Sequence, residues 1–189
     1  MRSKTKLVLM LLALPAIVFY ACKKYKDPPV TTLDPRLTNH YCNDPRAVNY
    51  NWNFPGIDDS TTCVFPVDSF IGTWIFHDTI YLPSGDTQGT TIKQLIITST
   101  EDTAKTHLAV AGWCGGNTPF NATANKYNRA DVDTFPGGPF GQFLCSQSDT
   151  LNGYFSKNPL DTLTYSLKVD FTINSASGVT YHRGIATKM

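Results

Sequence analysis

Apolar and polar residues alternate most regularly between Leu163 and Ile173, where odd-numbered positions are apolar and even-numbered positions are polar. A period of two residues is typical of a β-strand with one dry face and one solvated face. Such a strand buries its apolar row only against another layer, which the other β-like segments would supply. We therefore predict that residues 67–189 form one antiparallel β-domain.

This domain repeats strands and turns without a helical period. The segment 175–178, Ser-Ala-Ser-Gly, predicts a hairpin turn. The spacing favours an all-β antiparallel meander of about eight strands, folded into a sandwich or, as we prefer, closed into a barrel. The predicted strands span 70–82, 90–100, 106–113, 120–127, 130–135, 150–156, 162–174 and 179–187. The bulky residues expected inside are Phe70, Trp74, Phe76, Tyr165 and Phe171.

The N-terminus has the pattern of an export signal. Three cations, Arg2, Lys4 and Lys6, precede an apolar run that ends before the small residue Ala21. The run is shorter than the roughly 20 residues that a membrane-spanning helix needs. We predict that residues 1–21 are a signal peptide.

The segment Val-Phe-Tyr-Ala-Cys at 18–22 resembles the lipobox of Bacteroidota-type lipoproteins. That resemblance implies acylation of Cys22, for example by palmitate, and an outer-membrane lipoprotein of the cell envelope that faces the periplasm or the surface. The alternative is a plain secretory signal that leaves Cys22 as a free thiol. Residues 22–41 are rich in Pro and polar residues and predict a tether that reaches about 60 Å when extended.

Composition limits the classes of partner. The chain is 41% hydrophobic, which is enough to build a core. Removal of the signal peptide leaves 13 Lys and Arg against 15 Asp and Glu, a net charge of about −2. The sequence contains no basic patch, and this argues against nucleic-acid binding.

Four cysteines remain besides Cys22, and an exported chain meets an oxidising compartment. Three pairings are possible, and we prefer the nearest-neighbour one, Cys42 with Cys63 and Cys114 with Cys145. A zinc site is the competing interpretation, but no Cys-x-x-Cys spacing occurs and the histidines are scattered.

Residues 42–66 resemble a short module of secreted Bacteroidota proteins, with the pattern Cys-x-Asp-Pro-x-Ala-x-Asn-Tyr-Asn followed by Asp-Asp and a second Cys. The resemblance implies a disulfide-closed N-terminal module. Its Asn and Asp side chains either form Asx turns, which we prefer, or hold calcium.

The segments Phe-Ile-Gly-Thr-Trp at 70–74, Leu-Ile-Ile-Thr at 95–98, Leu-Asn-Gly-Tyr-Phe at 151–155 and Thr-Tyr-Ser-Leu at 164–167 resemble small lipocalin-like barrels of such lipoproteins. The resemblance implies that Trp74 closes the barrel base and that an Arg of the last strand packs over it. We predict that Arg183, with a three-residue hairpin loop before its strand, stacks on Trp74.

Catalytic motifs are missing from the sequence. Glu101 is the single glutamate, and no nucleophile elbow, zinc-protease motif or phosphate loop occurs. His77, Asp78 and His107 lie on predicted strands, where we expect outward-facing polar residues. We predict a protein that is not an enzyme and needs no cofactor or metal.

Asp-Ser and Asp-Thr pairs resemble acceptors of Bacteroidota O-glycosylation, although Asp-Thr is also ordinary turn chemistry before a strand. The candidate acceptors are Ser60, Thr79, Thr103, Thr150 and Thr162.

Together these features predict a non-catalytic binding or accessory module that holds a small apolar or glycan-like ligand. The alternative is a structural subunit with a barrel filled by side chains, which docks onto an outer-membrane protein complex. A barrel of about eight strands permits either interior.

Overall fold

The computed structural model describes residues 34–51, 55–100, 103–114, 118–135, 137–138, 140–145, 148–157 and 165–189. The predicted signal peptide, the acylation site Cys22, most of the tether and the acceptor Thr162 lie outside these residues. The described chain divides into two compact units, residues 34–39 with 55–57 and residues 40–51 with 58–189. The first contains a 3-10 helix, Pro35–Thr38, capped by the Asp34 side chain.

The described residues contain twelve strands and two further 3-10 helices, Ser60–Thr62 and Pro66–Ser69. The strands are β1 (His40–Tyr41), β2 (Ile57–Asp58), β3 (Gly72–Tyr81), β4 (Thr87–Ser99), β5 (His107–Ala111), β6 (Phe120–Ala124), β7 (Arg129–Val132), β8 (Gly137–Gly138), β9 (Gly141–Leu144), β10 (Asp149–Ser156), β11 (Ser166–Ser175) and β12 (Gly178–Lys188).

Eight of these strands close into an antiparallel barrel. The order is β3-β4-β5-β6-β7-β10-β11-β12, and β12 pairs with β3 to complete the circuit. Consecutive barrel strands are therefore neighbours, so the prediction of an all-β meander closed into a barrel is confirmed. The short strands β8 and β9 form a hairpin inserted between β7 and β10, which the sequence did not predict.

Strand directions define two ends of the barrel. The turn at Leu82–Asp86, the turn at Ala176–Ser177 and the β8–β9 hairpin belong to one end, which we call the rim end. The β4–β5 and β6–β7 turns belong to the other end, which we call the module end. The β8–β9 hairpin, which follows β7, thus lies at the opposite end of the barrel from the β6–β7 turn, which precedes β7.

The interior of the barrel is filled by buried side chains. Phe171 has its ring centroid 4.9 Å from Phe155, 5.4 Å from Trp113 and 5.7 Å from Phe120. The predicted interior residues Phe70, Trp74, Phe76 and Phe171 are all buried. Tyr165 was predicted wrongly: it precedes β11 and is 64% exposed, because the buried row of that strand begins at Leu167.

Closure of the barrel requires a residue without a side chain at Gly184. A Cβ atom added there would overlap the backbone carbonyl oxygen of His77 on β3. Gly89, on β4, is a matched position, since an added Cβ would meet nothing within 4 Å. A Gly-to-Ala change changes strand propensity at both positions but forces the two backbones apart only at Gly184, so comparing the two variants distinguishes these effects.

We expect Gly184→Ala to lower the free energy of unfolding by about 2 kcal/mol or more, because β12 must move away from β3. Gly89→Ala should change it by less than about 0.5 kcal/mol. Guanidinium denaturation followed by circular dichroism measures both. Equal effects for the two variants would contradict this account of closure.

Candidate functional site

The N-terminal module is closed by the disulfide between Cys42 and Cys63, which confirms the predicted pair. Inside this loop the Asn49 side chain donates to the Thr62 carbonyl at 2.7 Å and accepts from the Val64 backbone N–H at 2.9 Å. One amide thus ties the two halves of the loop together. Ala47 is buried beneath them.

Two acidic side chains of the module, those of Asp44 and Asp59, form Asx turns, as predicted. Asp44 accepts from the backbone N–H of Arg46 at 2.9 Å, and Asp59 accepts from that of Thr61 at 2.9 Å. Side-chain hydrogen bonds from Arg46 lower the pKa of Asp44 to about 2. Hydrogen bonds from Thr61, followed by one from His40, lower the pKa of Asp59. Both carboxylates thus have partners within the module.

The second predicted pair, Cys114 with Cys145, is also confirmed. It links the chain after β5 to the end of β9. The preceding residue, Trp113, folds over the apolar core, with Phe76 stacked at 6.0 Å and the edge of His182 at 5.3 Å. The Lys93 ammonium lies 4.8 Å from the Trp113 ring centroid, a cation–π distance.

The predicted stacking of Arg183 on Trp74 is wrong. Trp74 is buried, and its indole N–H donates to the Phe70 carbonyl at 2.7 Å. The cation over its ring is Lys188, 5.5 Å from the centroid. Arg183 faces solvent, where its Nε lies 3.3 Å from an Asp170 carboxylate oxygen.

The length of one turn explains this error. The β11–β12 turn has two residues, Ala176 and Ser177, with Ser175 paired to Gly178. The prediction assumed three. Because side chains alternate between faces, a shift of one residue reverses every position of β12. His182 consequently points inward and Arg183 outward.

The structure brings together three polar side chains, two of them buried, that sequence analysis missed. His182 Nδ1 lies 2.7 Å from Asp78 Oδ2, and His182 Nε2 lies 3.1 Å from the Thr180 hydroxyl oxygen. Asp78 and His182 are both buried, so the prediction that Asp78 faces outward is wrong. His77 and His107 are exposed, as predicted.

The alternation of β3 could have predicted that Asp78 is buried, because the even-numbered positions of this strand face the interior. Asp78 occupies the row of Trp74 and Phe76, which faces the interior. Its partner is 104 residues away, so no local pattern could reveal it. Asp78 Oδ1 is buried without a hydrogen-bond partner, a costly arrangement for a carboxylate. The pair thus connects β3 to β12 across the barrel closure and leaves one carboxylate oxygen of Asp78 without a partner.

An open, apolar groove of about 740 Å³ lies at the module end. Lys126 Nζ donates to the Pro45 carbonyl at 2.6 Å, and Arg46 donates to the Thr103 carbonyl, so the module is held against the barrel here. Tyr127 is exposed at its edge. Its lining combines apolar and aromatic residues with polar ones: Pro45, Pro66, Ala104, Ala124 and Tyr127, and Arg46, Thr103, Thr106, Asn125 and Lys126.

The β8–β9 hairpin displays exposed phenylalanines at the rim end. Phe135, Phe140 and Phe143 are 84%, 64% and 45% exposed. Gln142, between them, is buried: its side-chain oxygen accepts from the Asn121 N–H at 2.6 Å, and its amide nitrogen donates to the Asp133 carbonyl at 3.1 Å. We call β8 and β9 with these three phenylalanines the rim hairpin.

The predicted O-glycosylation acceptors differ in exposure. Ser60 and Thr103 are exposed, and Thr79 faces outward on β3. Thr150 is buried, and its hydroxyl has no partner. The folded protein does not present Thr150 to a transferase, which corrects that assignment, whereas Ser60, Thr79 and Thr103 stay predictions.

Comparisons with known proteins give no relative. No protein-family model, curated protein or solved structure matches the chain. Among the described residues, no three or more His, Cys, Asp or Glu side chains are grouped to hold a metal ion. Within the same ranges no helix is long and apolar enough to cross a bilayer.

We expect His182→Ala to lower the free energy of unfolding by about 3–5 kcal/mol, because it leaves the buried Asp78 carboxylate unpaired. The double variant Asp78→Leu/His182→Leu should stay within about 1 kcal/mol of the wild type, since it removes both polar groups. Chemical denaturation measures both. A double variant as unstable as the single one would contradict this account, because it would show that loss of the pair itself, and not the unpaired Asp78 carboxylate, lowers the stability.

Proposed function

We propose that the chain is a lipid-anchored cell-envelope protein, a non-catalytic accessory module that docks onto a partner protein. The observation that carries this proposal is the filled interior, in which Trp113, Phe155 and Phe171 pack against one another. A barrel with this interior recognises partners through its outer surface. The module-end groove is the concave apolar surface that supports docking.

The chemistry of the groove defines its occupant. Pro66 and Ala124 are buried at its base, and Tyr127 offers an exposed aromatic ring at its edge. Among the described residues, Arg46 and Lys126 bring two positive charges to the groove, and the Asp44 carboxylate forms an ion pair with Arg46. An apolar side chain next to a carboxylate complements this surface. We assign the occupant as an apolar, acidic segment of the partner protein.

A small apolar or glycan-like ligand is the second candidate. The groove volume of about 740 Å³ supports it, because pockets for small molecules commonly measure about 300–1,000 Å³. An exposed aromatic ring such as Tyr127 also suits the apolar face of a sugar. The crosslinking experiment below separates the two candidates.

Lipid anchoring is supported by the cysteine pairing. Cys42 with Cys63 and Cys114 with Cys145 account for four of the five cysteines. Cys22 is the fifth, and acylation gives this odd thiol of an exported chain a chemical role. We place the protein on the outer membrane by this anchor.

We expect a photo-reactive benzophenone residue at Tyr127 to crosslink the protein in intact envelopes to one partner protein, at an apolar acidic segment. Lys126→Glu should reduce the yield at least about fivefold, and Lys168→Glu, on the barrel wall, should not. A benzophenone at Ile92 is the matched control site. Equal yields at Tyr127 and Ile92 would refute docking in the groove, and a crosslinked sugar or lipid would favour the small-ligand candidate.

Acylation is tested by mass spectrometry of the protein from its native envelope. We expect the mature chain to begin at Cys22 with added mass from a glyceride and fatty acyl chains. Cys22→Ala should abolish this mass and release the protein from membranes. A mature N-terminus with unmodified Cys22 would disprove the anchor and leave the groove proposal untouched.

A further inference from the structure

We propose that Thr180 is an acyl-acceptor site, whose hydroxyl group is activated by His182 and Asp78 for reaction with an activated carboxylic ester or thioester. The three side chains, which we call the polar trio, form one hydrogen-bonded chain from carboxylate through imidazole to hydroxyl. This order of groups activates a hydroxyl as a nucleophile. Thr180 lies near the start of β12 at the rim end, so the site depends on neither the groove nor the lipid anchor.

The carboxylate determines which nitrogen of His182 accepts a hydrogen bond. An ionised carboxylate only accepts, and Asp78 Oδ2 lies 2.7 Å from His182 Nδ1, so in a neutral imidazole Nδ1 carries the proton. The other ring nitrogen, Nε2, then has a free lone pair and lies 3.1 Å from the Thr180 hydroxyl oxygen. Nε2 is therefore placed to take the hydroxyl proton without rearrangement.

The second oxygen of Asp78 supports a chemical role for the polar trio. Oδ1 is buried and has no hydrogen-bond partner among the described residues. An unused acceptor in the interior is costly if the trio only joins strands. When Nε2 takes a proton, however, the imidazolium lies next to a carboxylate whose charge is otherwise uncompensated, and the pair of charges is stabilised.

The surroundings of the polar trio favour a small acyl group. The Trp113 ring centroid lies 5.3 Å from that of His182, and Ile80 on β3 is the register partner of His182. Thr180 itself is half-buried, so a reagent approaches it from its partly exposed side. A short chain such as acetyl meets fewer steric contacts with these bulky neighbours than a long or branched chain.

The reaction transfers one acyl group and needs no oxidant or reductant. Thr180 Oγ1 attacks the carbonyl carbon, so that a new carbon–oxygen bond forms and the bond from that carbon to the leaving oxygen or sulfur breaks. The hydroxyl proton moves to His182 Nε2 and then to the leaving group. Thr180 ends as an ester, which is a covalent modification of one residue and is compatible with an accessory protein that is not an enzyme.

The experiment treats the full mature chain with p-nitrophenyl acetate. The chain carries Cys22→Ser, which removes a competing thiol. Released nitrophenolate gives the rate, and peptide mass spectrometry with fragmentation distinguishes an acetyl group on Thr180 from one on Tyr181. Hydroxylamine cleaves an ester but leaves an amide on a lysine intact. Thr187, which is exposed on the same strand, is the internal reference.

We expect Thr180 to be acetylated at least about 100-fold faster than Thr187, because general-base assistance contributes about 10²–10⁴-fold. Thr180→Val should abolish the label, and Thr180→Ser should retain it. Asp78→Asn should slow the reaction at least about tenfold, since it removes the charge beside the imidazole. The matched control is Thr91→Val, at the half-buried register partner of Asp78 on β4, which should leave the rate unchanged.

Three outcomes would overturn the proposal. The first is acetylation of Thr180 no faster than that of Thr187. The second is a label that resists hydroxylamine and persists in Thr180→Val. The third is an unchanged rate in a folded Asp78→Asn variant, which would assign the polar trio a purely structural role. Near-ultraviolet circular dichroism verifies each fold, and the two Thr180 variants test the site even if Asp78→Asn does not fold.

Discussion

Antiparallel pairing of β12 with β3 is the contact on which the barrel depends. It is the pairing that joins the last strand to the first and leaves no free edge in the circuit. Gly184 permits the close approach to the His77 carbonyl. The same pairing sets Asp78 beside His182 and brings Lys188 over Trp74, so the interior polar contact and the covered base of the barrel both follow from it.

Under the proposed function, a filled interior leaves the outer surface and the two ends of the barrel for recognition. The rings around Phe171 occupy the space in which a hollow barrel of this size would hold a ligand. The module end supplies a concave apolar groove and two cations, and the rim end supplies three uncharged aromatic side chains. The two surfaces differ in chemistry, which suits them to different kinds of partner.

Local patterns predicted most of the fold. The alternation at Leu167, Val169 and Phe171 gave the correct dry face, and nearest-neighbour spacing gave both disulfides. The errors arose where a single residue or a distant partner decides the structure. A turn one residue shorter than predicted puts the Arg183 side chain on the outer face of β12. The burial of Asp78 depends on His182, which lies on the last strand. The rim hairpin has no apolar period, because glycines and prolines dominate its sequence.

The Gln142 amide also fixes the alignment of the hairpin on the barrel. Its oxygen and nitrogen have different roles: the oxygen accepts a hydrogen bond from the Asn121 backbone N–H, and the nitrogen donates to the Asn121 and Asp133 carbonyls. A shift of β9 by one residue would put the Phe143 ring in place of the Gln142 amide and leave those three backbone groups without hydrogen-bond partners. The donor and acceptor of one side-chain amide thus favour a single register of the hairpin on the barrel over the registers shifted by one residue.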